Sequence, residues 1–366
     1  MLYIGLMSGT SLDGIDAVLT DIDSNGKPTI LGSHYLSFTE SQRNVLNTLC
    51  SADEFSAQLL MQQDQDLARL YASCCLKLLE KYNLGADQIH AIGCHGQTIR
   101  HQPGPDGFSW QIGDGHLLAE LTGITVINDF RRRDIAAGGE GAPLVPAFHQ
   151  HVFVDPHNPR QVLNLGGIAN ITVLFQDASD SFGFDLGPAN RLCDAWVKQN
   201  WGLDYDRGGV LARSGKVIPA LLQQWLGMEY FKQPPPKSTG RELFNLATLQ
   251  ALTPEMTTEV SQDVLATLVE FTASSIAQGI QNWGHSDGEL FLCGGGAHNT
   301  YLVERIQHHL PELKIGKTDT LGIPVDIVEA CAFAWLAFRT MNGLSGNLCA
   351  ATGAAGPRVL GAIHPA

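Results

Sequence analysis

Hydrophobic and polar positions near the start of the chain follow the pattern of three short β-strands separated by turns. The apolar run LYIGLM is interrupted by the polar stretch SGTSLDG, and the chain is largely apolar again in IDAVLTDI. Asp13-Gly14 and Asn25-Gly26 are dipeptides typical of hairpin turns, because such turns require positive φ. The pattern therefore predicts two hairpins within residues 1–36, with turns at these dipeptides.

Helical and strand patterns then alternate. Apolar residues recur at helical spacing between residues 40 and 83, which predicts one or two amphipathic helices. Strands are predicted at 89–94 and 124–127, each followed by polar residues at the point where open α/β sheets bind ligands. Further helices are predicted over 191–201 and 260–283.

A glycine-rich turn follows the last predicted strand. The strand at 289–293 leads into Gly294-Gly295-Gly296, and a helix is predicted from Asn299 to Leu310. A glycine turn at a helix N-terminus favours phosphate or ribose, because backbone amides and the helix dipole point at the ligand.

The opening pattern recurs in the second half of the chain. QVLNLGGIANITVLF, which begins at Gln161, has the same order of apolar run, glycine turn and apolar run as YIGLMSGTSLDGIDAVL. The two stretches lie roughly 160 residues apart, and such self-similarity indicates structural repetition. We therefore expect two related α/β halves.

Length and charge narrow the class of protein. At 366 residues the chain exceeds one ordinary core, so two domains are expected. The formal net charge of −14 would repel a phosphate backbone, so nucleic acid is not an expected partner. None of the eight cysteines forms a Cys-x-x-Cys pair, and no apolar run approaches the ~20 residues of a membrane span. A cytoplasmic protein with reduced cysteines and no membrane segment is expected.

Gly9, Thr10 and Ser11 are small residues at the tip of the first predicted hairpin. Exposed backbone amides and two hydroxyls suit phosphate oxygens. No Gly-Lys-Ser/Thr follows, so the stretch is not a Walker-type loop. A tight turn without a ligand explains these residues equally well.

Asp185 ends a short apolar run and precedes Leu186-Gly187-Pro188. A carboxylate at a strand-to-turn junction, flanked by glycines that permit close approach, is well placed to act as a general base. The alternative is a carboxylate that caps the following helix. Spacing alone leaves both interpretations open.

Two further candidates are charged. Glu329 is the only charge between residues 327 and 338, so it either faces a cleft or meets a basic partner. Arg131-Arg132-Arg133-Asp134 is a basic knot in an acidic protein and could hold a ligand carboxylate or phosphate through guanidinium bonds. A solvated charge run is equally compatible with the same residues.

The histidine cluster His149, His151 and His157 does not match the spacing of zinc motifs. These side chains are interpreted as loop and surface histidines.

Several stretches together resemble the anhydro-N-acetylmuramic acid kinase family. They are MSGTSLDGIDAVL, GCHGQTIRH, QIGDG, INDFRRRDIAAGGEGAPLVP, NLGGIANIT, FDLGPAN, CGGGAHN and the C-terminal ATGA with VLG. The resemblance implies the α/β fold of the sugar kinase, actin and heat-shock ATPase superfamily. That fold has two related actin-like, ribonuclease-H-like domains with mixed central sheets and an inter-domain cleft. We place the domains at 1–130 and 131–344, with 345–366 as a segment that would complete the first.

The resemblance implies an ATP-dependent kinase that opens 1,6-anhydro-N-acetylmuramic acid with water and phosphorylates its 6-oxygen. The product would be N-acetylmuramic acid 6-phosphate, formed in peptidoglycan recycling. ATP, Mg²⁺ and a homodimer are implied as well. Met7 stands where the wider superfamily carries an aspartate, so that residue's metal-organising role is not transferred.

The resemblance also implies roles for single residues. Asp185 matches the family's catalytic aspartate. ATP contacts are implied for Gly9, Thr10, Ser11, Leu12, Asp13, Gly14, Ile15, Asp16, Gly166, Gly167, Gly294, Gly295 and Gly296. Sugar contacts are expected from His95, Gln97, Thr98, Arg132, Asp134 and Glu329. An arginine is expected there because the substrate carries a lactyl carboxylate, but the sequence does not distinguish Arg131, Arg132 and Arg133.

Three other functions are compatible with the same fold. A sugar kinase with another substrate would phosphorylate a plain hexose. A sugar-sensing regulator would need a DNA-binding segment, and a chaperone-type ATPase would need a peptide-binding domain; neither segment is apparent in this chain.

Overall fold

The computed structural model describes residues 1–52, 54–104, 106–240 and 243–366, which form an α/β protein of two compact units. Unit 1 contains Met1–Val152 and Ile327–Ala366, and unit 2 contains Phe153–Asp326. The chain therefore changes unit at 152/153 and 326/327, whereas the sequence places the boundaries at 130/131 and 344/345. No helix among the described residues is long and apolar enough to cross a membrane.

Unit 1 contains a six-stranded mixed sheet and a separate hairpin. Its strands are β1 (Leu2–Met7), β2 (Gly14–Ile22), β3 (Pro28–Ser37), β4 (Ile89–Cys94), β5 (Gln97–Gln102), β6 (Phe108–Ile112), β7 (Val126–Asn128) and β13 (Ala362–His364). The sheet order is β3-β2-β1-β4-β7-β13, and β5 pairs with β6. β1, β2 and β3 are antiparallel, β4 and β7 run parallel to β1, and β13 closes the edge antiparallel to β7.

The helices of unit 1 are α1 (Glu40–Ser51), α2 (Ala57–Tyr82), α3 (Gly115–Thr122), α4 (Arg132–Ile135), α5 (Val145–Phe153), α12 (Val328–Met341) and α13 (Cys349–Thr352). The predicted helical stretch at 40–83 is thus two helices. Thr39 forms a capping box with Gln42 at the start of α1, and the Ser56 hydroxyl accepts from the Leu59 amide at the start of α2. Asn83 ends α2 in the left-handed conformation.

The turn of the first hairpin does not lie at Asp13-Gly14. Gly14 is already part of β2, and the positive φ of this connection belongs to Leu12, at 61°. Gly14 is needed for close approach instead, because a Cβ there would lie 2.4 Å from the Leu36 carbonyl oxygen on β3. The second turn is as predicted, with Gly26 at φ 84° and its amide donating to Asp23.

Helix α12 explains why the chain returns to unit 1 at residue 327. This largely apolar helix packs against β1, β2 and β4. A Cβ on Gly5 would lie 1.8 Å from the Ala330 carbonyl oxygen, and one on Gly93 would lie 2.0 Å from that of Phe333. Two strand glycines thus let the helix backbone rest directly on the sheet, a contact between distant segments that apolar periodicity does not reveal.

Unit 2 contains a five-stranded mixed sheet. Its strands are β8 (Arg160–Leu165), β9 (Ile168–Leu174), β10 (Phe182–Pro188), β11 (Gly288–Cys293) and β12 (Leu313–Lys317). Its helices are α6 (Asn190–Trp201), α7 (Val210–Ser214), α8 (Pro219–Leu226), α9 (Leu246–Leu252), α10 (Ser261–Trp283) and α11 (Thr300–His309). The central helix α10 is buried along most of its length and packs on β10 and on several neighbouring helices.

The internal repeat is confirmed by topology. The order in unit 2 is β10-β9-β8-β11-β12, which repeats β3-β2-β1-β4-β7 of unit 1 position by position. Pair directions also match, because β8, β9 and β10 are antiparallel while β11 and β12 run parallel to β8. Each unit is thus a mixed sheet built from a three-stranded meander followed by two parallel strands.

The interpretation of the histidine cluster is wrong for one member. His149 lies within α5 and is 2% exposed, and burial lowers its pKa to about 3. His151 and His157 are exposed as expected, and His151 donates from Nε2 to the Asn25 carbonyl.

Candidate functional site

The connection between β1 and β2 in unit 1, residues 8–13, exposes small polar groups. Leu12 is buried and holds the loop on the core, whereas Thr10, Ser11 and Asp13 are exposed. The Leu12 amide donates to the Gly9 carbonyl at 3.2 Å, which closes the turn. The exposed hydroxyls and amides fit the predicted phosphate cradle.

Ser8 connects this loop to the loop that follows β4. Its hydroxyl is 2.6 Å from the Tyr71 hydroxyl and donates to the Gly96 carbonyl at 3.3 Å. Ser8 and Tyr71 are both buried, so water does not compete for these bonds. The two candidate loops of unit 1 are therefore joined by side chains that sequence reasoning missed.

His95 and Arg131 form the centre of the candidate sugar side. Arg131 donates to His95 Nε2 from one terminal nitrogen at 2.9 Å and from Nε at 3.3 Å. Burial and then the charge of Arg131 lower the pKa of His95 to about 3, so the ring is neutral. Because Nε2 accepts, the ring proton lies on Nδ1, which faces the backbone of Ser8 and Gly96 but makes no hydrogen bond of good geometry among the described residues.

Gln97 presents a second unsatisfied group. Its side chain is fully buried, and its Oε1 atom has no hydrogen-bond partner in the described part of the chain. Leaving a buried donor or acceptor unpaired costs about 1–3 kcal/mol, so native proteins rarely do so without a ligand or water to complete the bond. Thr98 differs, because its hydroxyl already accepts from the Gln111 side chain at 3.1 Å.

Of the arginines at 131–133, Arg131 is the one that is directed inward. Arg131 donates to the Gly141 carbonyl at 2.8 Å as well as to His95, and burial lowers its pKa to about 10 against the opposing charges of Glu329 and Asp134. Arg132, the predicted sugar contact, is 65% exposed and paired with Asp129. Arg131 therefore has the geometry that the sequence assigned to Arg132.

Glu329 lies near enough to Arg131 for their charges to interact, although the two form no ion pair among the described residues. It lies in the first turn of α12, where burial raises its pKa and the charge of Arg131 partly lowers it. Opposite charges thus lie in the same part of unit 1, and each partly offsets the effect of burial on the pKa of the other.

Asp134 has a different environment from the other predicted sugar contacts. It is fully buried, and its carboxylate accepts from the Gly141 amide at 2.9 Å, from Asn347 at 2.7 Å and from the Thr352 hydroxyl at 2.8 Å. These bonds tie residues 131–141 to the C-terminal segment. The carboxylate is therefore already used in holding the fold.

In unit 2, Asp185 lies within β10 rather than at a strand-to-turn junction. A β-bulge falls between Asp185 and Gly187, which locally re-aims the strand. The helix-capping alternative is wrong, because the residue at the N-cap of α6 is Ala189, without a side-chain cap bond.

Asp185 is held by the loop at residues 237–239, a link that the sequence did not predict. Its amide donates to the Lys237 carbonyl at 3.1 Å, and its Oδ2 accepts from the Thr239 amide at 2.9 Å. The Tyr230 hydroxyl donates to its carbonyl oxygen at 2.7 Å. A carboxylate held by a main-chain amide keeps a fixed orientation, which a general base requires.

The glycine loops of unit 2 are built for close packing. The Gly166 and Gly167 carbonyls accept from the amides of Ala189, Asn190 and Arg191 at the start of α6. In the third loop, a Cβ on Gly294 would lie 2.3 Å from Asn164 Oδ1, whereas Gly295 is exposed with nothing within 4 Å.

The sequence predicts that the glycine turn at 294–296 directly adjoins the N-terminus of α11, but the structure differs. A short 3₁₀ helix, Gly295–His298, intervenes, and the Asn299 side chain caps α11 by accepting from the Leu302 amide. The open face of this loop is therefore the backbone around Gly295.

A magnesium ion bound through substrate phosphates fits the loop at 8–13. Among the described residues no three His, Cys, Asp or Glu side chains are grouped as metal ligands. Mg²⁺ commonly uses only one or two carboxylates together with substrate phosphates and water. Asp13, exposed at the end of the loop, supplies a carboxylate of this kind.

Comparison with known sequences decides the family. The description that matches residues 1–366 is anhydro-N-acetylmuramic acid kinase. The chain belongs to this family. A relative of that name from Nitrosomonas europaea is 49% identical over the full length of both chains, and one from Thiobacillus denitrificans is 49% identical over 100% of this chain and 97% of its own.

Among solved structures, the activator of the 2-hydroxyisocaproyl-CoA dehydratase from Clostridium difficile aligns with 93% of this chain and 96% of its own, with a TM-score of 0.48 and 13% identity.

Proposed function

We propose that this protein is an ATP-dependent kinase that opens 1,6-anhydro-N-acetylmuramic acid with water and phosphorylates the released 6-oxygen. The product is N-acetylmuramic acid 6-phosphate, and the reaction serves peptidoglycan recycling. The observation that carries the proposal is the family match over residues 1–366, with relatives of that name at 49% identity.

Asp185 acts as the general base. It accepts a proton from a water molecule whose oxygen attacks the anomeric carbon, and the bond from that carbon to the 6-oxygen breaks. The 6-oxygen then bonds to the γ-phosphorus as ADP leaves. The Thr239 amide supports this role, because it holds the carboxylate in one orientation.

His95, Gln97, Arg131 and Glu329 bind the sugar. The buried Nδ1–H of His95 and the buried Oε1 of Gln97 are a donor and an acceptor that a sugar hydroxyl or amide completes. Arg131 adds the positive charge that a lactyl carboxylate needs. Thr98, Arg132 and Asp134, expected with them from the sequence, have the partners described above and contribute mainly through support of the loops.

ATP is bound by the loop at 8–13, which takes the phosphates, together with the loops at 166–167 and 294–296. Asp13 would hold Mg²⁺ together with the ATP phosphates, and the ion would neutralise charge at the transferring phosphoryl group. Thr10 and Ser11 donate from exposed hydroxyls to phosphate oxygens, and the backbone near Gly295 is open to the nucleoside. Of the remaining ATP contacts expected from the sequence, Leu12 anchors the loop on the core, and Gly14, Ile15 and Asp16 lie in β2.

The test is the reaction in heavy-oxygen water. Product analysis by mass spectrometry should show one heavy oxygen at the anomeric hydroxyl and none in the phosphate ester. Heavy oxygen in the transferred phosphoryl group would contradict the coupled mechanism. Phosphorylation of glucose with no conversion of the anhydro-sugar would favour the other sugar-kinase function.

The protein acts in the cytoplasm as a homodimer. The absence of a membrane-spanning helix among the described residues is compatible with this location. Light scattering after size-exclusion chromatography should give twice the chain mass of 39.5 kDa. A mass of one chain at micromolar concentration would contradict the dimer.

A further inference from the structure

Lys237 is a cation without a counter-charge beside the candidate catalytic aspartate. Its side chain is half-buried, and it forms no ion pair with any carboxylate in the described part of the chain. The chain carries 37 acidic and 23 basic residues, so counter-charges are plentiful. A partly desolvated ammonium group without one is therefore notable, because buried charges are normally paired.

The position of the ammonium group is fixed by Tyr230. Lys237 Nζ donates to the Tyr230 carbonyl at 3.2 Å and lies 4.6 Å from the centre of the Tyr230 ring. Tyr230 is itself buried against Phe231 and Phe244. The one hydrogen bond leaves two N–H donors of the ammonium group for another partner.

The same loop positions Asp185. The Lys237 carbonyl accepts from the Asp185 amide, and the Tyr230 hydroxyl donates to the Asp185 carbonyl. The backbone of Lys237 is therefore bonded to Asp185, and the Tyr230 residue that holds the ammonium group is bonded to Asp185 as well. Burial lowers the pKa of Lys237, a cost that a bound anion would offset.

We propose that Lys237 binds an oxyanion of the reacting ligands, either the γ-phosphate of ATP or the carboxylate of the sugar. This inference rests on the proposed function for the identity of the ligands. With the phosphate, Lys237 spreads the charge that builds on the transferring group; with the carboxylate, it orients the sugar toward Asp185. In both cases it touches the ligand and is a catalytic or binding residue in its own right.

The experiment compares Lys237→Met, which removes the charge at similar length, with Lys237→Arg, which keeps it. Lys232→Met is the matched control, because Lys232 lies nearby but is exposed and paired with Glu229 at 2.9 Å. Calorimetry measures the affinity of each variant for a non-hydrolysable ATP analogue, for ADP and for the anhydro-sugar. Circular dichroism confirms folding.

Lys237→Met should weaken one ligand by about 10- to 100-fold, the range for a lost charge-assisted hydrogen bond. A loss for the ATP analogue but not for ADP identifies the γ-phosphate, and a loss for the sugar identifies its carboxylate. Lys237→Arg should retain most of the affinity, and Lys232→Met should bind all three ligands normally. Unchanged binding of all three by Lys237→Met would overturn the proposal and leave Lys237 as a support for Tyr230.

A second measurement uses the unaltered protein, so that it does not depend on the folding of a variant. Amine-reactive labelling followed by mass spectrometry should show Lys237 protected by the ATP analogue or by the sugar, and Lys232 unprotected. Equal labelling of Lys237 with and without ligands would also overturn the proposal. Neither measurement requires turnover, so failure to convert the anhydro-sugar would count against the proposed function and not against this role of Lys237.

Discussion

The two sheets share one strand order, but the loop that joins their first two strands is used differently in each unit. In unit 2 the Gly166 and Gly167 carbonyls accept from the first amides of α6, whose N-cap residue offers no side-chain cap. In unit 1 the corresponding helix, α1, is capped by its own Thr39. The loop at 8–13 is therefore not needed as a cap, and its Thr10 and Ser11 hydroxyls are exposed.

This difference shows how two units with the same strand order can serve different functions. The first amides of a helix need hydrogen-bond acceptors. Where a side-chain cap supplies one, the neighbouring hairpin loop is available for ligand binding; where there is no such cap, the carbonyls of that loop accept from the helix amides. The third strands differ as well, because β10 carries Asp185 while β3 contains no acidic residue. We therefore expect phosphate binding to depend most on unit 1 and proton transfer on unit 2.

The largest expected effect is on proton transfer. Asp185→Asn should lower kcat by about 10²- to 10⁴-fold, because an amide cannot accept the proton of the attacking water. Binding of ATP and sugar should persist by calorimetry. Asp180→Asn, in the exposed turn before the same strand, is the control. Turnover near that of the unaltered protein in a folded Asp185→Asn variant would remove Asp185 from the mechanism.

The candidate sugar side of unit 1 should respond to Arg131. Arg131→Met removes the donor to His95 and the positive charge, so sugar affinity should fall by about 10- to 100-fold. The exposed neighbour Arg133 supplies the control, Arg133→Met. A larger loss from Arg132→Met than from Arg131→Met, measured by calorimetry with the anhydro-sugar, would restore the assignment made from the sequence.

The two units should also differ in acid stability. In unit 1, burial lowers the pKa of His149 to about 3, so protonation favours the unfolded chain as pH falls below about 6.5. Protonation of His149 in the unfolded chain should lower the free energy of unfolding by about 2 kcal/mol between pH 7 and pH 5. His149→Gln should flatten that slope in urea titrations, and the exposed His157→Gln should not.

Unit 2 should lose less unfolding free energy than unit 1 between pH 7 and pH 5. Burial favours a raised pKa for Glu270, but hydrogen bonds from Arg305 and His309 bring its pKa below the ordinary value. Its stabilising contribution is therefore present above the carboxyl's ordinary pKa and is lost only as pH falls through the lowered one. Hydrogen exchange that shows unit 2 opening before unit 1 at pH 5 would contradict this contrast.

The smallest expected effect tests the open hydroxyls. Thr10→Ala and Ser11→Ala should each raise the KM for ATP by about 2- to 10-fold, the range for one neutral hydrogen bond. The melting temperature should not change, because both side chains are exposed. Loss of stability without loss of ATP affinity would show that these hydroxyls serve the turn rather than the ligand.

Local pattern predicted strands β1 to β4, β7 and β11 and the repeat, because alternation and helical spacing are properties of short segments, but it did not predict β5, β6, β12 and β13. It failed where distant segments meet. Because α12 packs directly on Gly5 and Gly93, the second unit boundary lies at 326/327 and not at 344/345. Of the three neighbouring arginines, Arg131 is the one that contacts His95, which the sequence does not reveal. The loop at Lys237 was likewise missed, since its link to Asp185 spans more than fifty residues of chain.

The discontinuity of unit 1 also sets an order of assembly during synthesis. Unit 2 is one continuous segment, so all its residues have left the ribosome once Asp326 has emerged. The sheet of unit 1 must wait for α12, and Asp134 waits for Asn347 and Thr352. The sheet of unit 1 is thus completed only after unit 2 has been translated, and the face of β1 and β4 lacks its covering helix until residues 328–341 have emerged.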